Sequence, residues 1–257
     1  MMSTLTPTHF LIIAVLFLIT NTVVHLLGAR SRSISPGKNW QLLSRSVAGI
    51  ALLCIAIGLA LSSATEGDWP FQRASEIIIA SAAAAILCHC LHPYSGAWKR
   101  ESLFYLGAAV LVMWGIARWP TAEAISAVQT EPRFWLFVSH LILALACGAF
   151  IHAGTTNLAC LLTEKISHRI CAEKSSNDAV SLGFPLLSAF LLLTVIAGLY
   201  TRGVYWNWGT ADSLQLLAWF FYAIIWYAWV VQGWRGRRIW VLTILGMVLI
   251  LLVLHAI

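Results

Sequence analysis

The chain has 257 residues, of which 60% are hydrophobic and only 10% are charged. Its mean hydropathy of +0.83 lies well outside the range of soluble domains and excludes that class. The net charge of +6 does not require a nucleic-acid partner, because the basic residues gather in loops where they set membrane orientation.

About eight runs are long and apolar enough to cross a lipid bilayer, which takes roughly 20 helical residues. All are predicted to be helices, because backbone in hydrocarbon must satisfy its own hydrogen bonds. The runs are 8–28, 46–63, 75–91, 102–117, 134–162, 182–200, 214–231 and 239–257. The sequence therefore predicts an all-α polytopic bundle of about eight transmembrane helices, in a single integral membrane domain over residues 1–257.

The basic residues predict the orientation of this bundle. Alternate loops, beginning with the one after the first run, hold most of the 16 Lys and Arg. The other loops hold only Arg73, Arg118, Arg133 and Arg202. The positive-inside rule then makes the basic loops cytoplasmic and places both termini on the outward, periplasmic side. The predicted location is the cell inner membrane, crossed many times.

The sequence also allows predictions for two connecting segments and for one helix end. Residues 163–181 are polar and are predicted to form a mobile cytoplasmic linker before the sixth run. Residues 120–133 are predicted to form a short interfacial helix on the outward side. Asp212 is predicted to cap the N-terminus of the seventh run, since aspartate is a preferred N-cap residue.

An aromatic segment lies between the sixth and seventh runs. Tyr205, Trp206 and Trp208 place three large rings within four residues, on what we name the tryptophan loop, residues 201–213. Such rings suit either a flat apolar cofactor or the headgroup layer of a bilayer. An aromatic belt explains most other tryptophans, which fall near predicted interfaces, but it explains this cluster poorly.

The order of residues around this loop resembles a known family. Residues 182–257 contain Gly-Phe-Pro-Leu-Leu, then Gly-Val-Tyr-Trp-Asn-Trp in the tryptophan loop, then Gly-Trp-Arg-Gly-Arg-Arg before the last run. Upstream, Ser75-Glu76 opens the third run, and the fifth run carries His140 followed by Gly148-Ala149-Phe150. These elements resemble the CcsA-type cytochrome c assembly proteins, a haem-handling membrane family. The family's Asp-Pro-Lys after the tryptophan is Gly209-Thr210-Ala211 here.

The resemblance implies that residues 182–257 form a haem-handling part of the domain. It implies non-covalent b-type haem, bound or presented at the outward face during cytochrome c maturation. It also implies partners, namely other cytochrome c maturation membrane proteins and apocytochrome c, besides the lipid bilayer. The candidate cofactor-binding residues are His140, His255, Trp206, Trp208, Tyr205 and Arg202.

Two of these residues are candidate ligands of the haem iron, which takes axial imidazoles. The resemblance points to His140, with a structural histidine as the alternative. His255 has no counterpart in register within the family and is chosen because the topology places it outward; the alternative is a terminal interfacial residue. Trp206, Trp208 and Tyr205 would form a platform for the ring, and Arg202 could pair with a propionate.

A second group of histidines lies toward the basic loops. His25 and His89 fall near the ends of the first and third runs, with His92 one turn beyond His89. His152 lies inside the fifth run, where an ionisable group is a functional candidate. For His25, His89 and His92, the alternatives are a haem entry site and a role in capping helix ends or lying among lipid headgroups, and the second is favoured; no partner of His152 can be named from the sequence.

No serine–histidine–acid set, phosphate loop or zinc-type spacing occurs, which disfavours hydrolase, kinase and metalloprotease chemistry. Whether the protein is an enzyme stays open. The alternative function is a degenerate family member that serves as a non-haem accessory or regulatory subunit of a membrane complex.

Overall fold

A computed structural model describes residues 6–30, 38–66, 71, 73–91, 98–119, 133–162, 167–206 and 208–257. Regular structure in these residues is helical, in the order α1 (Pro7–Arg30), α2 (Lys38–Glu66), α3 (Ala74–Leu91), α4 (Trp98–Arg118), α5 (Arg133–Leu162), α6 (Ser167–Arg202), α7 (Thr210–Val230) and α8 (Arg237–Ala256). All eight helices are long and apolar enough to cross a membrane. The prediction of an all-α, eight-span membrane bundle is confirmed, while the orientation of its termini stays a prediction.

Helices α3 and α5 form the centre of the bundle. Helix α3 is almost wholly buried, and it packs on α5 and α4. Helix α1 packs on α2 and α4, while α5 also contacts α6 and α8, and α7 lies against α8 and α6. The bundle therefore consists of α1–α4 and α5–α8, joined mainly where α3 crosses α5.

Small residues make this central crossing close. A Cβ atom added to Gly148 of α5 would lie 2.7 Å from the backbone nitrogen of Ala85 and 2.7 Å from the carbonyl oxygen of Ser81, both on α3. Gly148 therefore lets the two backbones meet directly. Without a hydrophobic drive between helices in lipid, such close backbone packing is a principal source of association.

The predicted linker over residues 163–181 is wrong for residues 167–181, where α6 is already helical. Three polar side chains of this segment, those of Ser175, Ser176 and Asn177, are buried. The Ser175 hydroxyl lies 3.1 Å from Nε2 of His152, and the Asn157 amide donates to the Ser176 hydroxyl at 2.7 Å. These interhelical hydrogen bonds satisfy polar groups that would be expected to face water if hydropathy alone were considered.

The prediction that Asp212 caps α7 is also wrong. Gly209 is the N-cap residue, with an extended backbone and no side-chain cap hydrogen bond. Asp212 lies in the first turn, where a carboxylate is still favoured by the exposed amides of the helix N-terminus. The predicted interfacial helix over residues 120–133 lies outside the described residues except for Arg133, which begins α5.

Candidate functional site

His140 is held by the turn between α2 and α3. It lies about two turns into α5, and its Nδ1 atom is 2.7 Å from the carbonyl oxygen of Phe71. A carbonyl oxygen can only accept, so Nδ1 carries a proton and, in the neutral imidazole, Nε2 keeps the lone pair. A metal-binding histidine typically has this arrangement, with its other nitrogen donating to a backbone carbonyl.

Phe71, which supplies this carbonyl, is itself held in place. Phe71 has φ +67°, a conformation that non-glycine residues adopt rarely. Its ring is buried and stacks on Phe137, one turn before His140, with ring centroids 5.5 Å apart. Glu76, at the start of α3, is 3% exposed and accepts a hydrogen bond from the Ser62 hydroxyl at 3.0 Å. The Phe71 carbonyl is therefore a preorganised acceptor for His140.

The rings of the tryptophan loop differ in exposure. Trp208 is 79% exposed and Tyr205 is 66% exposed, whereas Trp206 is partly buried and packs against the core. The buried indole N–H of Trp206 has no hydrogen-bond partner among the described residues. Gly203 turns the chain out of α6 with φ +69°. The loop therefore presents two rings and anchors itself with the third.

Arg202 ends α6, but its side chain lies outside the described part of the structure. Its predicted pairing with a propionate stays a prediction.

His255 contacts a different element from His140. Its side chain is exposed and stacks on Trp114 of α4, with ring centroids 6.1 Å apart. Its backbone carbonyl accepts a hydrogen bond from Nη1 of Arg118 at 2.9 Å. These contacts fix the end of α8 beside α4. The pairing of His255 with His140 around one iron stays a prediction.

Gln215 is a buried polar residue that sequence reasoning missed. It is 5% exposed, on the inward face of α7 just after the tryptophan loop. Its Oε1 atom is buried without a hydrogen-bond partner in the described part of the chain. The sequence signal that could have identified Gln215 is its position near the start of a predicted apolar span. Polar groups inside membranes are costly and often functional.

Three other histidines, His25, His89 and His152, lie in a buried cluster at the opposite end of the bundle. Nε2 of His25 lies 3.2 Å from a carboxylate oxygen of Glu101 and 2.8 Å from the hydroxyl of Ser44. The His25 ring also stacks on Tyr105 at 5.7 Å. Helices α1, α2 and α4 are thus joined through one imidazole. Sequence reasoning did not identify Glu101 or Ser44, because neither residue is unusual for a helix end.

His89 and His152 extend this cluster to α3 and α5. The His89 ring stacks on Phe104 at 4.0 Å and lies edge-on to the His152 ring at 5.6 Å. His92 falls outside the described residues. In the described part of the chain, no three His, Cys, Asp or Glu side chains are placed to hold a metal ion. The contacts made by His25, His89 and His152 favour the structural interpretation of these residues.

We expect a Glu101→Ala variant to be less stable than the wild type by about 1–3 kcal/mol, because it removes the carboxylate beside a buried imidazole. Thermal unfolding in detergent, followed by tryptophan fluorescence, measures the change. Leu106→Ala is the matched control, since Leu106 is on the same helix and is 46% exposed. Equal melting of the two variants would contradict a stabilising role for the cluster.

The chain is similar to several cytochrome c biogenesis proteins. The chain is 27% identical to the cytochrome c biogenesis protein CcsA of Microcystis aeruginosa over 102 residues, which are 40% of this chain and 31% of that protein. It is 32% identical to CcsA of Marchantia polymorpha over 71 residues, 28% of this chain and 22% of that one. It is 29% identical to CcsA of Synechococcus elongatus over 86 residues, which are 34% of this chain and 26% of that protein.

The matched segments thus span less than a third of each of these relatives. No family model matches the chain, and no solved structure matches it.

Proposed function

Because this chain is a divergent relative of the CcsA-type cytochrome c biogenesis proteins, we propose that it acts in cytochrome c biogenesis. In this proposal it binds or presents haem at the outward face of the cell inner membrane. The observation that carries the proposal is the hydrogen bond from His140 Nδ1 to the Phe71 carbonyl. That bond fixes the tautomer in which Nε2 can act as an axial ligand.

The chemistry of these residues suits a haem, with His140 as one candidate protein ligand. His140 would supply an imidazole, while Trp208 and Tyr205 offer exposed ring faces for stacking. The indole N–H of Trp206, buried without a partner among the described residues, can donate to a carboxylate such as a propionate. Haem, when bound, supplies the group that becomes attached to apocytochrome c.

The chain's own contribution is to bind and orient. The Phe71 carbonyl holds the His140 ring in one rotation and, for the neutral imidazole, one tautomer. Partly buried Trp206 fixes the tryptophan loop to the core, so Trp208 is presented at a defined place. His255 is the proposed second ligand of the haem iron, and Arg202 is the proposed partner of a haem propionate. Other cytochrome c maturation membrane proteins and apocytochrome c are the proposed partners.

The visible spectrum of the purified protein tests this function. Detergent-purified protein, supplied with haem and washed, should show a Soret band and, on reduction, the visible bands of a b-type haem. Oxidised and reduced spectra are recorded from the same sample. A protein that stays colourless after haem loading would overturn the proposal.

The second candidate function is a non-haem accessory or regulatory subunit of a membrane complex. It is favoured by the sequence Gly209-Thr210-Ala211, which replaces the acidic, proline and lysine residues of the family's loop. A colourless protein that co-purifies with a large membrane complex would support this candidate instead.

A further inference from the structure

A charged cleft lies at the end of the bundle opposite the tryptophan loop. Its volume is about 350 Å³, and it lies between the first turns of α6 and the loop that joins α7 to α8. The residues that line it are Glu173, Lys174, Asn177, Asp178, Trp229 and Arg235. None of them takes part in the proposed haem site.

The walls of the cleft are joined to each other. The backbone N–H of Gly236 donates to the Glu173 carboxylate at 3.1 Å, which ties α6 to the α7–α8 loop. The Arg235 guanidinium donates to the Trp229 carbonyl at 3.0 Å and lies over the Trp229 ring, 5.6 Å from its centroid. The cleft is therefore a built feature of the fold, in which Glu173 on one wall and Arg235 on the other are held in place.

The cleft lies at the depth of the lipid headgroups. Helix α6 has 36 residues, and at about 1.5 Å per residue it exceeds the roughly 30 Å of hydrocarbon. Its candidate membrane span begins at Glu173, so the turn that carries Glu173 and Lys174 lies at the membrane boundary. Trp229, near the end of α7, has the interfacial position that tryptophan prefers.

The charges of the cleft balance. Glu173 and Asp178 contribute two carboxylates, and Lys174 and Arg235 contribute two cations. A ligand of one charge sign would meet a like charge on the lining, whereas a zwitterion can match both signs. The volume is at the low end of the range for ligand pockets, about 300–1,000 Å³, which suits a small polar group.

We propose that this cleft binds the phosphoethanolamine headgroup of a phospholipid in the adjoining leaflet. The ammonium would donate hydrogen bonds to the carboxylates of Glu173 and Asp178, and the phosphate would lie by Lys174 and Arg235. A primary ammonium has three donors, which a choline headgroup lacks. The two carboxylates therefore select ethanolamine over choline.

An apolar path leads from the cleft into the hydrocarbon. Leu182 lies one turn after Asp178 on the same face of α6 and is 53% exposed. Trp226 lies one turn before Trp229 and is 36% exposed; its ring stacks on Phe184 of α6 at 6.0 Å. Acyl chains can follow this surface between α6 and α7, which favours a lipid over a soluble ligand.

Native mass spectrometry of delipidated, detergent-purified full-length protein tests the proposal. The probe is an equimolar mixture of phosphatidylethanolamine, phosphatidylcholine and phosphatidylglycerol with identical acyl chains. We expect one phosphatidylethanolamine to be retained preferentially. Asp178→Asn should weaken its binding about tenfold or more, since it removes a charged hydrogen-bond acceptor.

Asp212→Asn is the control, because Asp212 is at the opposite end of α7 and its loss should leave lipid binding unchanged. Equal retention of the three lipids, preference for phosphatidylglycerol, or an Asp178→Asn variant that binds as the wild type does would each overturn the proposal. Free phosphoethanolamine that competes as well as the whole lipid would also overturn it, in favour of a soluble ligand.

Discussion

A His140→Ala variant is expected to lose haem binding. The imidazole is the one candidate ligand whose tautomer is set by a hydrogen bond, at 2.7 Å to the Phe71 carbonyl. Changing only a hydrogen-bond partner of a metal ligand lowers metal affinity about 10–100-fold. Loss of the ligand itself should therefore lower haem affinity by more than about 100-fold. The measurement is the Soret absorbance per protein after haem loading, in the same detergent as the wild type.

Two controls separate ligand loss from a general defect. His9→Ala removes an exposed histidine near the start of α1 and should keep the colour. Imidazole added to His140→Ala should restore part of the Soret band, because it can occupy the space left by the side chain. A His140→Ala protein that binds haem as the wild type does would show that His140 is structural.

The spans could be predicted from the sequence because they depend on local composition. Each predicted run lies within, or within one residue of, an observed helix, and α3 and α5 match almost to the residue. The start of α6 could not be predicted, since Ser175 and Ser176 are polar in isolation. They become membrane-compatible only through hydrogen bonds to α5, and such pairing across helices leaves no local pattern.

The candidate site shows the same division between local and long-range information. The position of His140 within its span follows from the sequence, but its acceptor is 69 residues away in the chain. The adjacent aromatic residues of the tryptophan loop also look alike in sequence, although Trp206 is anchored in the core and Trp208 is exposed. Packing of the loop on the rest of the bundle decides that difference.

The crossing of α3 and α5 predicts the largest effect on folding. Gly148 has the Ser81 carbonyl oxygen and the Ala85 backbone nitrogen within 2.7 Å of any added Cβ atom, and backbone atoms cannot move aside as a flexible side chain can. Gly148→Ala should therefore destabilise the protein by about 1–3 kcal/mol, the usual cost of overpacking. Gly148→Leu should prevent the two halves of the bundle from joining.

Size-exclusion chromatography and thermal unfolding in detergent measure both effects. Gly49→Ala and Gly49→Leu are the matched controls, because a Cβ atom at Gly49 of α2 meets nothing within 4 Å; the alanine control should be as stable as the wild type or slightly more so. If Gly148→Leu elutes and melts as Gly49→Leu does, the close crossing is refuted.

Helix α5 carries His140, and Glu76 lies in the first turn of α3. Disruption of the α3–α5 crossing should therefore remove haem binding and the folded state together. His140→Ala, in contrast, should remove haem binding from a protein that still melts cooperatively.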